Sequence, residues 1–117
     1  MVPAYNESAS IGRVVSGIRR ARVADRVFVV DDGSRDDTAE TARRAGAVVL
    51  RHRRNTGAGS AIRDGFRAAL GAGYEVVLVM GGDDQDIPRE ARRLLAGIRR
   101  GADLVQGSRW IPGGRTV

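Results

Sequence analysis

The sequence predicts an α/β fold in three layers, with helices on both faces of a mostly parallel sheet. Three observations carry that prediction. Short apolar runs alternate with helical stretches along the chain, which implies right-handed βαβ crossovers. The run Val76-Val77-Leu78-Val79-Met80 has no polar alternation, as in a strand buried on both faces of a parallel sheet. Glycine, carboxylate and amide clusters follow the runs, where open α/β sheets bind ligands.

Taken in order, Met1–Glu7 (MVPAYNE) reads as the end of a strand entering a loop, with only Met1 and Val2 left of the strand. Ser8 is the expected N-cap of a helix with Ile11, Val14, Val15 and Ile18 on one face and Arg13, Arg19 and Arg20 elsewhere. Arg26–Val30 is the next buried strand, followed by Asp31-Asp32-Gly33-Ser34. A helix from Asp37 to Ala45 stops at Gly46, a suitable C′ residue. Val48–Leu50 is a short strand, Asn55–Gly59 a glycine-punctuated loop, and Ser60–Leu70 a helix ended by Gly71. After Val76–Met80, Gly81-Gly82 lets the backbone turn and approach a ligand. Pro88 opens a helix reaching Arg100, since its fixed φ suits a first turn. Ala102–Val105 is a last strand before Gly107-Ser108-Arg109-Trp110.

At 117 residues the chain is one domain. It has no cysteine, which excludes disulfides, thiolate zinc sites and a cysteine nucleophile. No apolar run approaches a membrane span and Met1 opens no signal-peptide pattern, so the expectation is a soluble, cytoplasmic chain. The net charge is +6 and every basic residue is Arg. Coding bias explains that, and so does affinity for phosphates or an anionic membrane surface. Nucleic acid is not expected as a partner, because no aromatic residues interleave with the arginines.

In an extended segment Asp83 and Gln85 share a face. Two oxygen ligands so placed suit Mg²⁺ or Mn²⁺ gripping a diphosphate. Asp84 and Asp86 have a plainer reading as caps of the following helix.

Four clusters fall at strand ends: PAYNE at Pro3–Glu7, VVDDGSRDDT at Val29–Thr38, NTGAGSAIRDG at Asn55–Gly65 and GGDDQDIP at Gly81–Pro88. With DLVQGSRWIPGG at Asp103–Gly114, this ordered set resembles the inverting family 2 glycosyltransferases of the GT-A fold. It looks most like the dolichyl- and polyprenyl-phosphate mannose synthase branch. The resemblance implies that Pro3, Tyr5, Glu7 and Gly82 line a nucleotide pocket. One of Asp31 and Asp32 would accept hydrogen bonds from the base or ribose, with Asp31 favoured. Asn55, Gly57 and Gly59 would shape the adjoining loop, and Arg63 would contact the diphosphate. His52 receives no role.

The family usually carries Asp-x-Asp with Gln two residues on, and Gly81 stands at the first Asp position. Asp83 and Gln85 are left in register for a divalent metal, with Asp84 as a further ligand. The implied chemistry is displacement at the anomeric carbon of a GDP- or UDP-sugar, with inversion. A Lewis-acid metal on Asp83 would offset charge on the leaving diphosphate. A polyprenyl phosphate acceptor is already anionic, and Arg109 and Arg115 would clamp its phosphate. Trp110 would meet the membrane interface or a sugar face. Such a chain would sit peripherally at the inner face of the membrane.

Two rivals fall away. A receiver domain needs a lysine, and the chain has none. A dinucleotide binder needs GxGxxG after the first strand, where PAYNES stands. A third, a non-catalytic nucleotide-binding fragment or degraded paralogue, stays open. Against the family the chain reads as incomplete at both ends, lacking most of its first strand and an acceptor-binding C-terminal part. The strands ending at Val30 and Met80 should then expose unpaired edges carrying Val27, Val29, Val77 and Val79. Low stability or self-association follows, as a homo-oligomer or otherwise.

Overall fold

A computed structural model describes residues 1–107. Arg109, Trp110 and Arg115 lie outside the described residues. Three parallel strands, β1 (Val2–Ala4), β2 (Phe28–Asp31) and β3 (Val48–Arg51), pair in the order β1-β2-β3. Helices α1 (Ile11–Ala21), α2 (Thr38–Arg44) and α3 (Ala58–Gly71) make the crossovers and the tail of the third unit. A 3₁₀ turn at Pro88–Glu90 leads into α4 (Ala91–Arg99). This is the expected α/β architecture.

Alternation along β2 divides the core. Val27 and Val29 pack with Val2, Ala4 and the buried face of α1, whereas Phe28 and Val30 pack with Met1 and Ala61 of α3. A strand buried on both faces needs apolar residues at successive positions, which is why FVV carries no alternation. The α1 face is the one read from the sequence: Ile11, Val14, Val15 and Ile18 are all buried. Each contributes about 1.5–3 kcal/mol, an upper estimate against an extended unfolded chain.

Several boundaries differ. The N-cap of α1 is Ser10 and not Ser8, because Ser10 and Ile11 both donate backbone N–H groups to the Glu7 carbonyl, forming a turn first. Gly59 is helical, since α3 begins at Ala58 and not at Ser60. Asp86 is not the N-cap residue: Ile87 precedes the 3₁₀ turn and Glu90 precedes α4. Ala102–Val105 forms no strand, and Val105 packs on Gly97 of α4 instead.

Val76–Met80 departs most. It runs beside β1, with Met80 N–H donating to the Met1 carbonyl at 3.1 Å and the Met1 amine to the Leu78 carbonyl at 2.5 Å. Yet Val76 and Val79 are 48% and 40% exposed, so the segment is not buried on both faces. No strand pairs with its outer side among the described residues.

The expected bare edges are closed at Val29 and stay open at Val27 and Val77. Val2 pairs with Val29 and Ala4 with Asp31, so even a three-residue β1 covers the upper half of β2. Below Met1 a cleft of about 620 Å³ opens between Val27-Phe28 and Val76–Leu78, in line with β1. Burial there pulls the Met1 amine down from 8.0 to about 6.

Candidate functional site

Ala4, Asp31 and Arg51 stand abreast where β1, β2 and β3 end. The loops that leave them are therefore neighbours, and their polar side chains meet. Asn6 holds a left-handed conformation, φ 52°, which a short amide tolerates. Its backbone N–H donates to Ser34 Oγ at 2.8 Å, and its side-chain carbonyl accepts the Arg35 N–H at 3.0 Å. Glu7 N–H donates to Thr38 Oγ1 at 2.9 Å and Ser8 N–H to Asp36 Oδ2 at 3.2 Å. The PAYNE and DDGS loops are thus stitched together.

The two adjacent aspartates do different things. Asp32 spends both oxygens on the next loop. Its Oδ1 accepts from Thr56 N–H at 2.9 Å and Thr56 Oγ1 at 2.8 Å, and its Oδ2 from Gly57 N–H at 2.8 Å. His52 Nδ1 lies 2.7 Å from the same Oδ1. Burial alone would raise this carboxyl. Hydrogen bonds from His52, Thr56 and Gly57 outweigh that and hold it at about 2.

Asp31 is fully covered, and its Oδ1 accepts the Ser34 N–H at 3.0 Å. Its Oδ2 makes no hydrogen bond, although Arg51 Nε lies 3.4 Å away, near enough to pair but outside hydrogen-bond direction. Arg51 also donates to the Ser34 carbonyl at 3.3 Å, so a half-exposed guanidinium straps this turn.

The acidic loop joins from the other side of β1. Ser10 Oγ donates to the Gly82 carbonyl at 2.6 Å, and a Cβ on Gly82 would lie 3.3 Å from the Pro3 carbonyl. Gly82 is therefore a packing position under Pro3, Ala4 and Glu7. Asp83 Oδ1 accepts the Gln85 N–H at 3.2 Å, and Asp86 Oδ2 accepts the Gly81 N–H at 2.8 Å. A Cβ built on Gly81 would meet Asp83 Oδ1 at 3.1 Å and Asp86 Oδ2 at 3.5 Å. Those two carboxylates converge over the glycine, while Asp84, at φ 65°, pairs with Arg13 at 3.1 Å. No three His, Cys, Asp or Glu side chains gather to hold a metal among the described residues. Asp83 and Asp86 thus lie on the same side of Gly81, with Gln85 reaching Asp83 through its backbone N–H.

The remaining expected site residues are placed as follows. Tyr5 is exposed beside the site, Asn55 lies in the exposed loop, and Gly57 carries φ 98° at the start of α3. Arg63 lies along α3, donating to Ser60 Oγ at 3.1 Å and touching Asp64 at 3.4 Å. Sequence reading passed over Asn6, Ser10, Ser34, Thr56 and His52. His52 is partly buried, and its Nε2 sits 2.9 Å from Asp64 Oδ2.

Residues 1–117 match the family described as Glycosyl transferase family 2. The chain belongs to that family. This family 2 chain is 38% identical over 122 residues to the undecaprenyl-phosphate mannosyltransferase of Micrococcus luteus, spanning 100% of the chain and 50% of that protein. It is 35% identical over 120 residues to the polyprenol monophosphomannose synthase of Mycolicibacterium smegmatis, spanning 97% and 45%. Among solved structures, glucosyl-3-phosphoglycerate synthase from Mycobacterium tuberculosis, in complex with Mn²⁺, UDP-glucose and phosphoglyceric acid, aligns with a TM-score of 0.70 at 27% identity. That alignment covers 86% of this chain and 38% of the other, and it agrees with the GT-A fold. The family 2 chain spans about half the length, or less, of these relatives. No helix among its described residues is long and apolar enough to cross a membrane.

Proposed function

We propose that this chain is the nucleotide-sugar-binding part of an inverting glycosyltransferase, moving a sugar from a UDP- or GDP-sugar to a polyprenyl phosphate at the membrane surface. One observation carries the binding half: where the parallel strands β1 and β2 end, the two stitched loops enclose Asp31, a buried carboxylate with one oxygen outside any hydrogen bond. Asp32 has no such capacity left. Asp31 is the acceptor for a base or ribose donor, reached when the Arg51 side chain lifts from it. Pro3, Tyr5, Glu7, Asn55 and Gly57 would complete the nucleotide pocket. The acceptor half rests on the relatives' names, with Arg109 and Arg115 kept for the acceptor phosphate. A divalent ion on Asp83 would polarise the diphosphate and ease its departure.

Calorimetry with UDP and with GDP, each with Mn²⁺, tests the binding. One nucleotide should bind, and Asp31→Asn should weaken it about 10- to 150-fold, since a charged hydrogen bond contributes about 1.5–3 kcal/mol. Asp83→Ala should remove most of the gain from Mn²⁺. Equal affinity in Asp31→Asn and the parent would refute the assignment. Transfer of labelled sugar to a polyprenyl phosphate then separates a transferase from a chain that only binds nucleotide.

A further inference from the structure

Nδ1 and Nε2 of His52 both face carboxylates, Asp32 at 2.7 Å and Asp64 at 2.9 Å. An ionised carboxylate only accepts hydrogen bonds, and a neutral imidazole has one N–H to give. Both contacts are satisfied together only when the ring carries two protons. His52 is thus a cationic bridge from the turn after β2 to the first half of α3, and Thr56 Oγ1 touches its Nδ1 at 3.0 Å. The bridge encloses the segment between His52 and Asp64, whose Thr56 and Gly57 N–H groups Asp32 also holds. Five contacts therefore tie the Asn55–Gly57 loop to the turn after β2 and to α3.

We propose that protonated His52 is a positioning residue, pinning the Asn55–Gly57 loop to Asp32 and α3 in the shape that receives the nucleotide. The proposal rests on the nucleotide reading above. The charged groups facing the ring are Asp32 from the turn and Asp64 from α3. Asp64 is also approached by Arg63 at 3.4 Å and Arg67 at 3.8 Å, which compete for it. The hydrogen bond to Asp32 is the largest of the influences that raise His52 above its ordinary 6.5, with burial opposing and Asp64 adding. The sign follows. The bridge is complete below 6.5, and it is lost as pH rises through the higher folded value.

His52 is the chain's single histidine, so its proton resonances need no assignment. The experiment follows three quantities against pH in the whole chain: the imidazole titration, the exchange protection of the Thr56 and Gly57 amides, and the affinity for UDP or GDP with Mn²⁺. Protection and affinity should fall together through the imidazole midpoint, affinity by roughly fivefold to tenfold, the difference between charged and neutral hydrogen bonding. His52→Gln should flatten both profiles. Should that variant fold poorly, Asp64→Asn is the second test, and it should move the midpoint and both profiles to lower pH together. Protection that stays constant across the midpoint, or a native-like affinity profile in His52→Gln, overturns the proposal. A chain that binds neither nucleotide sinks the nucleotide reading and with it the purpose of the bridge, while the exchange data still report whether His52 holds the loop.

Discussion

Asp32→Ala should lower the stability of this chain by about 3 kcal/mol, the lower end of the range for breaking a buried ion pair. The side chain answers the Thr56 N–H and hydroxyl, the Gly57 N–H and the His52 ring, all within 2.9 Å. Alanine leaves two backbone donors and a cation without their acceptor. Thr56 is exposed, so water replaces part of the loss, which places the figure at the low end. Urea unfolding at neutral pH measures the difference. In acid the gap should narrow: the Asp32 contribution is complete above 3.8 and lost as pH falls through about 2. A variant within about 0.5 kcal/mol of the parent, the range of ordinary surface changes, would show that the loop holds itself.

Gly33→Ala should cost more than its size suggests, about 2–5 kcal/mol. Gly33 sits at φ 74°, which costs an L-residue roughly 1–2 kcal/mol. A Cβ there would lie 2.3 Å from the Arg54 carbonyl carbon and 2.5 Å from the Asn55 nitrogen. Neither is a flexible side-chain end, so the two loops must part, an overpacking cost of about 1–3 kcal/mol. Gly59→Ala is the contrast. Its Cβ would meet nothing within 4 Å and α3 is helical there, so that change should stabilise by up to about 1 kcal/mol. A thermal scan distinguishes them, and a Gly33→Ala chain melting with the parent would rule out the close approach.

The glycines show where sequence reading stops. Gly57 and Gly59 look alike in NTGAG, yet only Gly57 has a positive φ. The α1 face was legible because helical spacing reports burial directly. The parallel sheet was legible because helices fall between the strands. Val76–Met80 misled, since an apolar run states that a strand prefers burial and not whether a neighbour exists to bury it. His52 was hidden for a related reason. Standing in Arg51-His52-Arg53-Arg54, it looks like one charge in a solvated run, and its partners are 20 residues before and 12 residues after it. Only the pairing of β2 with β3 brings Asp32 and His52 side by side.

The stitching between loops also sets an order of assembly. Ala4 reaches Asp31 only after a crossover of more than twenty residues has closed, and Asp31 reaches Arg51 after a second, shorter one. Closing such loops is paid for before their contacts form, so the strands must register first and the polar lock can only follow. The site is then expected to form after the sheet. Weakening that lock should speed the opening of the native state while leaving the rate of reaching it nearly untouched.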